Sequence, residues 1–315
     1  MTLEGKRYAI LSFDTESNIG SWTQEYSSID LAMPKLLNLL DSKKIRATFV
    51  WEGMAALHNP GMVKETFSRG HECGCHTLMH ETVGKAGYSI PGDRAVLPSE
   101  FESRLRENKR IIWELTGREP VSFRAPRLWT DAGTLHALES NGFLHDSSYP
   151  IASDDDPFFP YFPSSEDLSK AGNSSVLQLP VTYLTKTMLK DADPTLKFFA
   201  EEMTGEQVNL GQWPVLRLYG GDTFYNFFEL FAQAQEKQRG FSLVSIYQHP
   251  WEYIPVPGIL DCPEGTTHLR RTLYENSGDF TLNALSEFID RMKGAGYEFL
   301  TMEQAGSMWK EAFYI

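Results

Sequence analysis

Cysteine is scarce in this chain. Only Cys73, Cys75 and Cys262 occur among 315 residues. That is too few for a disulfide framework, and an odd count fits a reducing compartment. Basic residues are also short: 29 Lys and Arg against 42 Asp and Glu leave a net charge of −13. Such a chain is poorly matched to nucleic acid or to an anionic membrane, and better matched to neutral or cationic substrates. No stretch approaches the ~18–20 apolar residues of a membrane span. The opening MTLEGKRYAILSFDTES has a short apolar run that ends in charge, unlike a cleavable leader. A cytoplasmic location is therefore expected. There is no low-complexity linker, and no internal repeat beyond a strand–helix period. What is present is a globular composition, 41% hydrophobic and 23% charged. It excludes disorder, collagen and coiled coil, and allows one large domain or two small ones.

Two kinds of segment alternate. Arg7 to Phe13, Ile45 to Trp51, Glu72 to Cys75, Val121 to Phe123, Phe143 to His145, Val176 to Leu179, Phe241 to Tyr247 and Glu298 to Thr301 read as short strands. Helices are expected over 29–42, 61–69, 99–117, 131–140, 223–239 and 281–293, with one more at the end. Several are closed by glycine, as at Gly70, Gly117 and Gly240. Strand followed by helix, repeated about seven times, predicts a parallel α/β architecture. The continuously apolar strands predict a sheet covered on both faces. A single domain over 1–315 is expected, with an irregular insertion at about 153–221. Within it, Phe158, Phe159, Tyr161 and Phe162 crowd between prolines after three acids. This loop is expected to lid the site or to pair with a second copy, which keeps a homo-oligomer open. The remaining alternative is that it packs its rings on the chain's own barrel.

Sites in parallel α/β folds form at the C-terminal ends of strands, and polar residues gather there. The first strand ends in Asp14-Thr15-Glu16; in an extended chain both carboxylates point to one side. The third runs into His76-Thr77-Leu78-Met79-His80, whose histidines share a face if the segment is helical and can then reach one ion. His71 precedes that strand and is expected at the opposite end. The fourth ends in Arg124-Ala125-Pro126, the fifth in Asp146-Ser147-Ser148, and a late one in His249-Pro250-Trp251-Glu252. Alone, each reads as a turn cap or a packed polar residue. Together at one mouth they point to catalysis.

In this order and spacing the chain resembles the polysaccharide deacetylase, or NodB-homology, superfamily over roughly residues 7–302. The likeness is carried by Phe13-Asp14-Thr15-Glu16, His76-Thr77-Leu78-Met79-His80, Phe123-Arg124-Ala125-Pro126, Asp146-Ser147-Ser148 and His249-Pro250-Trp251-Glu252. The resemblance implies a distorted (β/α)7 barrel and hydrolysis of an amide, typically an N-acetyl group on an amino sugar. Asp14-x-Glu16 departs from the commonest form, which has adjacent Asp residues. It is similar instead to the Asp-x-Asp subgroup of peptidoglycan deacetylases and allantoinase-like amidohydrolases, with a longer second side chain.

The roles that the resemblance implies follow residue by residue. Glu16, His76 and His80 would hold a divalent metal, best Zn²⁺, with Co²⁺, Ni²⁺ or Fe²⁺ also suited to two imidazoles and a carboxylate. Asp14 would be the general base and Arg124 its partner; the exchange of Asp14 and Glu16 stays open. His249 would be the general acid, with Asp146 fixing its tautomer and raising its pKa. Cys73 and Cys75 are expected to pack beneath the site rather than to bind metal. Trp22, Trp129, Trp251, Tyr149 and Tyr253 flank the motifs, to stack on a sugar or to pack a lid. Two other functions stay in view: an allantoinase-like hydrolase of a small amide, and an inactive carbohydrate-binding barrel.

Overall fold

The structure is a computed structural model, which describes residues 3–20, 23, 25–84, 96–204, 210–262 and 265–314. Its strands are β1 (Arg7–Thr15), β2 (Thr48–Trp51), β3 (Glu72–Cys75), β4 (Ser122–Phe123), β5 (His145–Asp146), β6 (Leu177–Gln178), β7 (Tyr183–Leu184), β8 (Leu210–Gly211), β9 (Ser242–Gln248), β10 (Ile259–Cys262), β11 (Gly265–His268) and β12 (Tyr297–Leu300). Its helices are α1 (Ser27–Lys43), α2 (Gly53–His58), α3 (Pro60–Ser68), α4 (Pro98–Thr116), α5 (Ala132–Ser140), α6 (Pro194–Thr204), α7 (Val215–Arg239), α8 (Arg271–Tyr274), α9 (Asp279–Gly294) and α10 (Met302–Phe313).

The parallel sheet runs β6-β5-β4-β3-β2-β1-β9 and curls with helices around it, a distorted (β/α) barrel. β1 pairs with three other strands and is buried from Tyr8 to Thr15. One of its edges pairs with β9 over Arg7–Phe13. The other is shared: Arg7–Ile10 pairs with β12 and Ser12–Thr15 with β2. Between the chain beyond β6 and β9, a side chain closes the seam. The Gln212 Nε2 donates to Thr182 O at 3.1 Å and Ser245 O at 2.9 Å, and its Oε1 accepts from Tyr247 N at 2.9 Å. A buried amide can satisfy backbone groups on two segments at once, so this glutamine stands in for a strand-to-strand ladder.

The base of the barrel is closed by α10. The Thr48 Oγ1 accepts from Met302 N at 2.9 Å and Glu72 Oε2 from Glu303 N at 3.0 Å, so strand side chains take up the helix's first free N–H groups. Gly306 lies against His145; a Cβ there would sit 2.2 Å from the imidazole Nε2.

The aromatic–proline loop is found at this base and not at the mouth. Phe158 packs on Phe231, and Phe159 packs on Phe241 and Trp309, with centroids 5.0–5.8 Å apart. Phe241 immediately precedes β9, which fixes the N-terminal end of the strands as the loop's position. The expectation of a lid is therefore overturned. The rings bury their area against α7 and α10 of the same chain, and Phe158, Phe159 and Tyr161 are buried. The 153–221 stretch also carries order: β6 joins the main sheet, β7 and β8 pair, and α7 starts at Val215, earlier than the expected 223, with a break at Gly220 (φ 81°). Among the described residues, no helix is long and apolar enough to cross a membrane.

Candidate active site

The His76–His80 segment is a loop, contrary to the helical expectation. Thr77 (φ 63°) and His80 (φ 53°) take left-handed backbone angles. The first N–H groups of α2 hold the loop, Gly53 N donating to Thr77 O and Met54 N to Leu78 O, both at 2.9 Å. Bending the chain here folds the two imidazoles together. His76 Nε2 lies 3.2 Å and His80 Nε2 2.6 Å from the same oxygen, Glu16 Oε2. The three groups are buried, and one ligand atom from each lies within 4.8 Å of the others.

The donor set fits a metal. Nδ1 of His76 is 2.8 Å from the Arg124 carbonyl and must donate to it. In a neutral imidazole this leaves Nε2 as a lone pair aimed at a carboxylate oxygen, and two acceptors face each other unless a cation lies between them. Burial would raise the Glu16 pKa, but His80, His249 and His76 outweigh it and hold the carboxyl well below its ordinary range. Trp251 Nε1 donates to the other oxygen, Oε1, at 3.2 Å. Gly20 (φ 59°) roofs the carboxylate, and a Cβ there would come within 2.9 Å of Oε1.

Asp14 takes a different partner. Its Oδ1 accepts from Arg124 Nη1 at 2.7 Å. The fully buried guanidinium is also bound to Ser12 Oγ (2.7 Å), Ser147 O (2.8 Å) and Ser147 Oγ (2.9 Å). Asp14 Oδ2 lies 4.0 Å from His249 Nε2, which is equally far from Glu16 Oε1. Glu16, Asp14 and His249 thus face one small space.

The expected partner of His249 is corrected by the structure. Glu252 Oε1 lies 2.9 Å from the His249 Nδ1 and also accepts the His249 backbone N–H at 3.1 Å. The reason is local: residues three apart in the tight turn Pro250–Tyr253 close a capping box. Asp146 instead accepts from the Ser148 hydroxyl, and burial pushes its carboxyl up to about 7. Burial would lower the His249 pKa, but Glu16, Glu252 and Asp14 raise it to about 9.

Two other side chains at the site were not expected from the sequence. Arg217 Nε donates to Glu252 Oε2 at 3.0 Å from the first turn of α7. Glu52, at the end of β2, accepts from Ser17 N at 3.0 Å and the Tyr26 hydroxyl at 2.9 Å, and so braces the turn after Glu16. The Glu52 position, one residue beyond a strand end, was the available signal. His71 lies at the opposite end of β3, accepting from Ala47 N at 3.2 Å. Cys73 and Cys75 are buried, and burial pushes the Cys73 thiol up to about 12. Tyr253 is buried against Phe13, and Trp22 lies outside the described residues.

With this geometry in view, the family described as polysaccharide deacetylase matches residues 4–144. Over this stretch the chain is similar to the polysaccharide deacetylases. The matched segment carries Asp14, Glu16, His76, His80 and Arg124; Asp146, His249 and Glu252 lie beyond it. A peptidoglycan-N-acetylglucosamine deacetylase of Bacillus cereus is 30% identical over 110 residues, covering 35% of this chain and 46% of that one. The peptidoglycan-N-acetylglucosamine deacetylase PgdA of Listeria monocytogenes is 26% identical over 93 residues, 30% of this chain and 18% of that one. The chain thus spans less than half the length of these relatives. Among solved structures, a Mycobacterium smegmatis protein named for the polysaccharide deacetylases superposes with a TM-score of 0.62 at 18% identity, covering 99% of this chain and 93% of that one. The PuuE allantoinase superposes at 0.58 with 16% identity, over 98% and 91%. At such identities both speak for the fold.

Proposed function

We propose that this protein is a divalent-metal-dependent amide hydrolase that removes an N-acetyl group from an amino sugar or a polysaccharide precursor. The observation that carries the reading is the buried Glu16–His76–His80 cluster, faced by Asp14 on one side and His249 on the other. Glu16, His76 and His80 would hold the ion, with Zn²⁺ best suited to two imidazoles and a carboxylate. When bound, the ion would polarise the amide carbonyl and make water more acidic.

The chain's own groups supply the rest. Asp14 accepts the proton of the attacking water through Oδ2, because Arg124 occupies Oδ1 and holds the carboxylate in place. His249 presents Nε2 to the same space and donates a proton to the departing amine. Glu252 at Nδ1 sustains the charged imidazole, and Asp146 supports the mouth indirectly through Ser148, whose hydroxyl is 2.8 Å from Ala125 N. The reading takes residues 1–315 as one barrel domain. A cytoplasmic setting, supported by the few and odd-numbered cysteines, fits a soluble substrate.

The test is acetate release from N-acetylglucosamine oligomers by Zn²⁺-loaded protein, beside ring opening of cyclic ureides. Acetate release that falls ~10²–10⁴-fold in Asp14→Asn, with metal retained, supports the reading. Ureide opening without acetate release replaces it with an allantoinase-like reaction. Metal uptake with sugar binding and no hydrolysis replaces it with a binding barrel.

A further inference from the structure

Arg217 stands in the stretch of chain with the least regular sequence, yet it is fully buried and each of its three guanidinium nitrogens donates a hydrogen bond. Nε donates to Glu252 Oε2 at 3.0 Å, Nη1 to Glu275 O at 3.3 Å and Nη2 to Thr272 O at 2.6 Å. Its guanidinium lies over the rings of Trp213 and Trp251, 5.4 and 5.7 Å from their centroids. Those two rings flank His249: Trp251 stacks on it at 5.1 Å, and Trp213 meets it edge-on at 6.3 Å. One side chain therefore ties together α7, the His249–Tyr253 turn and the segment of α8.

We propose that Arg217 is a positioning residue for His249, acting through Glu252. The inference rests on the amide-hydrolase reading and deepens it. A carboxylate that accepts from one side only can rotate, or can turn toward another donor. Glu252 accepts on both sides: Oε1 receives the His249 Nδ1–H and backbone N–H, and Oε2 receives the Arg217 Nε–H. The bidentate hold fixes the plane of the carboxylate and so the plane of the imidazole. It keeps the Nδ1 proton in place and leaves Nε2 turned to Asp14 and Glu16. A guanidinium suits this place because its fork also spans two backbone carbonyls, which a single ammonium cannot do in one plane. Outer residues of this kind typically change activity by about 10–100-fold.

Two measurements test the proposal. In protein labelled with ¹⁵N-histidine, metal-free and Zn²⁺-loaded, and at a pH above about 9 where the His249 ring is neutral, its nitrogens should report a proton fixed on Nδ1. In Arg217→Met the signals should move toward the tautomeric average, and in Arg217→Lys less so. In kinetics on N-acetyl sugars, Arg217→Met should lower kcat about 10–100-fold with KM within about twofold. Loss should be least on amides with good leaving groups, which depart without a proton. Added to Glu252→Gln, Arg217→Met should cost no further activity, because its route is already cut. That double variant removes both charges of a buried pair, so it keeps the test open if Arg217→Met alone does not fold. Unchanged ring nitrogens in Arg217→Met, or activity losses that multiply in the double variant, overturn the proposal. A wild type that hydrolyses no amide defeats the functional reading instead, and the ring nitrogens still decide the role of Arg217.

Discussion

Replacing Arg124 by Met should be the most damaging single change at the mouth that leaves the metal ligands intact. The side chain is fully buried and makes four hydrogen bonds, one of them to Asp14 at 2.7 Å. Met fills similar space but satisfies nothing, leaving a buried carboxylate, the Ser147 carbonyl and two hydroxyls without their donor. Removing one partner of a buried ion pair costs about 3–5 kcal/mol. For a chain of this length, with unfolding entropy of about 2.1 cal/mol/K per residue, that is a fall in Tm of about 5–8 °C. The double variant Arg124→Met/Asp14→Asn should recover part of the loss, since no unpaired charge is then buried. Calorimetry and urea titration of the wild type, both single variants and the double variant give the coupling energy directly. A single variant that melts within about 1 °C of wild type, or a double variant whose losses simply add, would refute this account of the pair.

Other changes have equally definite outcomes. Titration calorimetry should find about one Zn²⁺ per chain, lost in His76→Ala or His80→Ala, and Gly20→Ala should weaken it, because the new Cβ meets Glu16 Oε1 at 2.9 Å. Gly306→Ala should cost about 1–3 kcal/mol by urea titration, because it drives a methyl into His145 at the base. Asp146 titrates near 3.8 when unfolded and about 7 when folded, so the folded state binds the extra proton between those values. Its contribution to stability is present below about 4 and is lost as pH rises to about 7; Asp146→Asn should flatten that part of the stability–pH curve.

What the sequence revealed was the set of residues that strand ends must deliver. Asp14, His76, Arg124 and His249 are each placed by a parallel strand that stops, and strand ends are legible from apolar runs. Side-chain pairing was less legible. Glu252 stood inside the motif already singled out, but nothing in a sequence says which of two buried carboxylates an imidazole will turn to. The tight turn after His249 decided it. Arg217 had no signal, because its partners are distant in the chain and its own segment lacks a clear period. The His76–His80 spacing showed that the rings could meet but not how, because four-residue spacing looks the same whether a helix or two left-handed residues bring them together. The aromatic loop was misplaced because rings between prolines reveal that they need cover, not which end of the barrel offers it.

The position of β1 has a consequence during synthesis. Arg7 pairs with Ser242 on one edge and with Tyr297 on the other. At about 5–20 residues per second, the first strand emerges on the order of ten to fifty seconds before β9 does. Throughout that interval β2 to β6 can assemble against one part of β1, while its remaining edge presents open N–H and C=O groups. Such an edge invites pairing with other chains. A chain halted before β9 would therefore carry Glu16, His76 and His80, yet display the most heavily paired strand of the barrel as its stickiest surface.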